Sequence, residues 1–287
     1  MNYIILFSLF IFISACATST KSVKINSGHY EESVDIYSSN NKKKTNTNVV
    51  FILLHGKGGK KRHHSGITTV ASELSQAGYT VYVPDMPYAP YTETLNNTFK
   101  RIDSLVKTAS AGNKKVIIGG HSMGAAVAYL YCAAYKCEKS VVGVIMAAPG
   151  HMLQMSIKIQ EATAVNVQRA RKLVKKGKGN ITNTFTDYNQ GNKSNINAKA
   201  NVYLSYFDPI QFPNPATHFD SMKVPVLWID GDNDRAAARM GYENLFNQIQ
   251  KHSKFKENKY LEVSGGHIGM MDYVSKPILN WVKIFQK

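Results

Sequence analysis

Five residues, Gly120-His121-Ser122-Met123-Gly124, constrain the architecture of this chain more than any other stretch. Before them runs Lys115-Val116-Ile117-Ile118-Gly119, a short apolar run rich in β-branched residues, which predicts a buried strand. After them runs Ala125 to Tyr131, rich in small residues, which predicts a helix. A chain that passes from a buried strand straight into a helix must turn sharply. A crowded turn needs neighbours without side chains, and the glycines at 120 and 124 meet that need. Such a turn lifts the Ser122 hydroxyl clear of the sheet and leaves the next amide, that of Met123, pointing outward. A serine held this way becomes a nucleophile when a base and backbone donors stand beside it.

Three further strand ends carry the residues that such a serine requires. Val49 to Leu54 predicts a buried strand running into His55-Gly56-Lys57-Gly58-Gly59. Pro225 to Asp230 predicts another, ending in Gly231-Asp232-Asn233-Asp234, and Lys259 to Val263 a third, ending in Ser264-Gly265-Gly266-His267. The order along the chain is Ser, then Asp, then His, each just past a predicted strand. In this order and context the sequence, over about residues 45 to 287, resembles the α/β-hydrolase superfamily of serine hydrolases, which includes esterases and lipases. Gly120 to Gly124 resembles its nucleophile elbow, His55-Gly56 its oxyanion loop, Gly231 to Asp234 its acid turn and Gly266-His267 its histidine turn.

The resemblance implies an α/β fold with a mostly parallel central sheet, helices on both faces and a lid insertion. It implies cleavage of acyl esters through an acyl-enzyme, with Ser122 as nucleophile, His267 as general base and Asp234 orienting the imidazole; Asp232 is the competitor for that last role. The oxyanion hole falls to the backbone N–H of Met123 and that of Lys57 or its neighbour Gly58. An acyltransferase or thioesterase would use the same residues, and a non-catalytic lipid-binding protein could keep the fold. No cofactor and no metal are expected; His63 and His64 lack a third ligand at zinc spacing and read as solvated loop residues. His55 and His121 read as packing and hydrogen-bonding locally. His151, Met152 and Met155 follow a strand end and read equally as pocket lining or core.

Elsewhere the chain alternates between helix and strand. Residues 64 to 77 and 91 to 110 read as helices, Thr80 to Pro84 and Val141 to Met146 as strands, which implies a parallel sheet covered on both faces. The alternation breaks at residue 151. Met155 to Lys176 has helical spacing, 177 to 197 is rich in Gly, Asn, Thr and Lys, and Ala198 to Phe207 is helical and aromatic. Residues 151 to 222 therefore read as an insertion, either a lid over an acyl pocket or ordinary connecting helices with a loose loop. Val23-Lys24-Ile25 and Val34 to Tyr37 alternate as an antiparallel edge pair would.

The N-terminus reads as an address. Residues 2 to 15 carry no charge and are mostly apolar, too short for a bilayer span of about 20 residues. They end in Ile13-Ser14-Ala15-Cys16, which resembles the bacterial lipobox. The resemblance implies removal of residues 1 to 15, lipidation of Cys16 and a place in the cell envelope, at the outer membrane facing the periplasm; the alternative is an ordinary secretory signal. Thr18 to Lys24 reads as a polar tether and Asn40 to Asn48 as a loop. Cys132 and Cys137 read as buried free thiols rather than as the disulfide that an exporting context would permit, since a spacing of five within one helix suits bridging poorly.

The formal charge of +16 invites a nucleic-acid reading, yet no finger, RRM, KH or helix-turn-helix signature is present. Nine Lys or Arg stand against Glu161 and Asp187 in residues 151 to 200, and Lys57, Lys60, Lys61 and Arg62 cluster beside the oxyanion loop. Such clusters suit either general compositional bias or an anionic membrane surface. The expected partners are a small-molecule or lipid ester substrate and a membrane surface reached through a lipid anchor.

Overall fold

The computed structural model describes residues 18–27, 30–40, 48–57, 66–135, 137–235 and 241–286. Cys16 and the leader before it, Gly58, and the stretch holding Lys60, Lys61, Arg62, His63 and His64 lie outside the described residues.

The strands are β1 (Thr18–Ser27), β2 (Tyr30–Ser39), β3 (Val49–Leu54), β4 (Thr80–Pro84), β5 (Lys115–His121), β6 (Val141–Ala147), β7 (Thr182–Asn189), β8 (Asn192–Lys199), β9 (Val226–Gly231) and β10 (Lys259–Val263). The helices are α1 (Ile67–Gln76), α2 (Leu95–Ala109), α3 (Met123–Ala133), α4 (Ile157–Lys175), α5 (Ala200–Phe207), α6 (Tyr242–His252) and α7 (Ser275–Trp281). Eight strands form one sheet in the order β1-β2-β4-β3-β5-β6-β9-β10. From β4 to β10 every pairing is parallel; β1 and β2 join antiparallel at one edge. This is the α/β-hydrolase fold.

The near-continuous apolar strands follow from burial on both faces. In β3, Val50, Ile52 and Leu54 point into one core with α2, α3 and α6, while Val49, Phe51 and Leu53 point into a second with α1 and α7. Trp228 and Leu227 divide β9 in the same way. The helix α2 starts at Leu95 rather than at 91 because Thr94 caps it, its hydroxyl accepting from the Asn97 N–H at 3.3 Å.

The structure revises three expectations. Thr18 to Lys24 is no tether: β1 begins at Thr18 and pairs with β2 along its whole length, Val23 opposite Val34, as the alternation of both segments required. The Gly- and Asn-rich stretch is no loose loop but mostly the hairpin β7–β8, whose tight turn places Gln190 at φ 49° and Gly191 at φ 89°. Cys132 and Cys137 are bonded to each other, not free. The helix α3 ends at Ala133 and the chain turns back, so the pair straddles a helix end and the Cα atoms approach to 4.4 Å. Between β6 and β9, the sequence 151–222 contains α4, the hairpin and α5, whose stacked Phe185, Tyr203 and Phe207 rings fasten hairpin to helix.

Candidate active site

Ser122 sits between β5 and α3 with φ 55° and ψ −123°, a conformation that L-residues rarely adopt. The surroundings over-determine it. The Ser122 N–H donates to Ala147 O at 3.0 Å, and Ser122 O accepts from the Ala125 and Ala126 amides. A Cβ at Gly124 would lie 2.3 Å from Leu54 O, and one at Gly120 2.4 Å from the same atom. Both glycines are thus demanded by backbone packed against backbone. At Gly150, on the segment leaving β6, a Cβ would stand 2.6 Å from Ser122 Oγ, so that glycine keeps the hydroxyl open.

The acid and base turns arrive together. The turn after β9 and the turn after β10 press so closely that a Cβ on Gly231 would meet Gly265 O at 2.2 Å, and Gly265 itself needs φ +117°. Asp232 Oδ1 accepts from the Gly265 N–H at 2.9 Å and so pins one turn to the other. Asp234, which is buried, points the other way: its Oδ2 lies 2.8 Å from His267 Nδ1. His267 Nε2 lies 3.0 Å from Ser122 Oγ. The structure therefore brings Ser122, His267 and Asp234 into one hydrogen-bonded line and places Asp232 outside it.

His121 holds this line from behind, and His55 braces the loop that leads to Lys57. His121 Nε2 donates to His267 O at 2.6 Å, while its buried Nδ1 has no hydrogen-bond partner among the described residues. Burial and the neighbouring His267 push the His121 pKa down to about 4, so its ring stays neutral. His55 Nδ1 donates to Gly56 O at 2.8 Å and its Nε2 accepts from the Met86 N–H at 3.0 Å. A Cβ on Gly56 would lie 3.2 Å from Ser122 Cβ, which brings the loop leading to Lys57 alongside the serine. The Met123 amide opens α3, where a helix leaves its N–H groups without an intrahelical acceptor.

A cavity of about 590 Å³ opens onto Ser122 and His267. Its walls include Met155, Ile157 and Ile159 from the start of the insertion and Tyr188 to Gly191 from the hairpin; Lys158 and Arg235 also line it. His151 and Met155 line this space, whereas Met152 is wholly within the core. Among the described residues no group of three His, Cys, Asp or Glu is placed to hold a metal ion.

The sequence points to the Lys57 amide as an oxyanion donor and to its ammonium as one of a surface cluster of cations, with Asp187 only as a charge; the surface reading of the Lys57 ammonium is not borne out. The structure buries both: Lys57 Nζ lies 2.7 Å from Asp187 Oδ1, with the two side chains 5% and 9% exposed. The available signal was an aspartate next to Tyr188 in an otherwise basic stretch.

The family described as serine aminopeptidase, S33, matches residues 45–262. This chain belongs to that family of α/β-fold hydrolases. No curated protein matches it. Among solved structures, Est1E from Butyrivibrio proteoclasticus is 19% identical, with TM-score 0.62 over 91% of this chain and 99% of that one. An esterase from Pyrococcus furiosus is 15% identical, with TM-score 0.60 over 95% and 92%. A thermophilic esterase from Thermogutta terrifontis is 17% identical, with TM-score 0.59 over 93% and 100%. What this S33-family chain shares with them at such identities is the fold.

Proposed function

We propose that this member of the S33 family is a serine hydrolase that cleaves carboxylic esters through an acyl-enzyme on Ser122. The observation that carries the reading is the line from Ser122 Oγ through His267 to Asp234, at 3.0 and 2.8 Å. His267 Nε2 takes the proton as Oγ attacks the ester carbonyl. Asp234 keeps the proton on Nδ1 and stabilises the imidazolium. The amides of Met123 and Lys57 receive the developing oxyanion. Collapse expels the alcohol, protonated by His267, and water then releases the acid by the reverse sequence.

The family's name points to peptides with a free α-amino group, and the cavity argues for a different substrate. A substrate ammonium calls for a carboxylate partner. Among the described residues lining the cavity the only carboxylate is Asp234, which is engaged by His267, while Lys158 and Arg235 are cations. An ester without an ammonium suits such walls better, in line with the esterases that share the fold. Labelling with a fluorophosphonate tests the reading: wild type takes the label at Ser122 and hydrolyses small esters, and Ser122→Ala does neither. An unlabelled wild-type protein would mean a binding role for the fold.

The same proposal extends to location. Residues 1 to 15 direct export and Cys16 carries a lipid, which places the enzyme in the cell envelope. The disulfide supports an oxidising compartment. Exposed Lys172, Lys175, Lys176 and Lys178 suit an anionic bilayer nearby. Detergent phase partitioning of wild type against Cys16→Ser checks the anchor; equal partitioning would remove it.

A further inference from the structure

The Lys57 ammonium has three N–H donors, and each has an acceptor: Asp187 Oδ1 at 2.7 Å, Tyr188 O at 2.8 Å and His151 Nδ1 at 3.2 Å. The acceptors are fixed in turn. His151 Nε2 donates to Tyr206 O at 2.7 Å, which leaves Nδ1 as the acceptor facing Lys57. Asp187 Oδ2 accepts from Tyr91 OH at 3.4 Å. Burial and the adjacent Lys57 push the His151 pKa down to about 3, which keeps the ring neutral. One buried cation thereby joins the loop beside Ser122, the segment after Gly150 and the inserted hairpin.

Stability alone gives little reason for this arrangement, since apolar residues of equal volume would commonly serve as well as a buried ion pair. Three directed bonds do what apolar contact does not: they fix where the Lys57 side chain ends and so constrain the main chain that bears it. On the ester-hydrolase reading, on which this inference rests, that main chain supplies an oxyanion donor, and such a donor works only within a few tenths of an ångström of its place. We propose that Asp187 is a positioning residue for the reaction at Ser122: acting through Lys57, the inserted hairpin sets the oxyanion loop.

The test compares wild type, Asp187→Asn and the charge-free pair Lys57→Met with Asp187→Leu. Fluorophosphonate labelling, kcat and KM on a small soluble ester, and thermal unfolding are measured for each. The expected result is a kcat lower by roughly 10- to 100-fold in Asp187→Asn, with KM within about threefold. The charge-free pair is expected to recover the wild-type melting temperature without recovering kcat. If Asp187→Asn fails to fold, the pair decides alone. Wild-type kcat in either variant, or a loss confined to KM, overturns the proposal and leaves the ester reading intact. A wild-type protein that neither labels nor turns over overturns the ester reading, and this inference with it.

Discussion

His121 donates from Nε2 to the main-chain carbonyl of His267, 2.6 Å away, so the residue before the nucleophile holds the residue that would activate it. The two rings lie 4.9 Å apart, and a charge on both would be repulsive. His121→Phe keeps the ring volume and removes a buried nitrogen that has no partner among the described residues. It also removes the bond that fixes His267. Ester turnover should fall by roughly tenfold while the melting temperature stays near wild type, because an orphaned polar atom is lost along with the bond. Steady-state kinetics beside a thermal melt check this.

Asp232 and Asp234 differ in what they hold. Asp234→Asn should lower kcat by roughly a thousandfold or more, since the imidazole loses the acceptor that selects its tautomer. Asp232→Asn loosens a backbone contact at Gly265 and should lower activity by less than about tenfold. If the Asp232 variant proves the inactive one while folded, the two roles exchange.

Gly150→Ala adds one carbon where Ser122 Oγ must stand, 2.6 Å away. The protein should fold, as Gly150 has no positive φ. Labelling of Ser122 should nonetheless be nearly abolished. Circular dichroism together with the labelling rate separates a blocked hydroxyl from an unfolded chain.

Stability should depend on pH through three buried groups. His121 and His151 titrate at about 4 and about 3 in the native protein and near 6.5 unfolded. Between pH 6.5 and 4 the unfolded chain therefore binds more protons, and acid destabilises the fold. Asp230 runs the other way: burial raises its pKa to about 7, although Trp228 Nε1 and Tyr260 OH both donate to Oδ2. Its native form holds a proton that the unfolded form lacks from about pH 4 to 7, so stability is lost as pH rises through that window. Asp230→Asn should thus stabilise by up to a few kcal/mol at pH 8 and hardly at all at pH 4. It should also steepen the acid loss from about one proton to about two. Urea melts across pH 4 to 8 measure both.

The sheet was legible because burial on both faces leaves little choice of residue in its parallel strands, as Val49 to Leu54 illustrates. The glycine requirements were legible wherever backbone meets backbone, at Gly120 and Gly124. The hairpin β7–β8 was not. β8 is largely exposed and β7 buries only Phe185 and Asp187, and the two strands carry Asn, Thr and Lys where a buried strand would carry valine, so local pattern gave little period to read. The link between Lys57 and Asp187 spans 130 positions and depends on how that hairpin folds back, a matter of tertiary packing. Cys132 and Cys137 were misread because the end of α3 at Ala133, which brings them together, leaves no strong mark in the sequence.

The sheet register joins the two halves of the site across one strand seam. Ser122 belongs to the β5–β6 side, whereas Asp234 and His267 belong to the β9–β10 side. Four paired positions, Val144 with Val226 through Ala147 with Ile229, connect them. The chain leaves β6, builds the whole insertion, and re-enters at β9, so the insertion bridges the seam from above. Heat that opens this seam would separate nucleophile from base while both sheet halves remain folded. Activity should then disappear several degrees below the loss of far-ultraviolet dichroism, and amide exchange should quicken first at Val226 to Ile229.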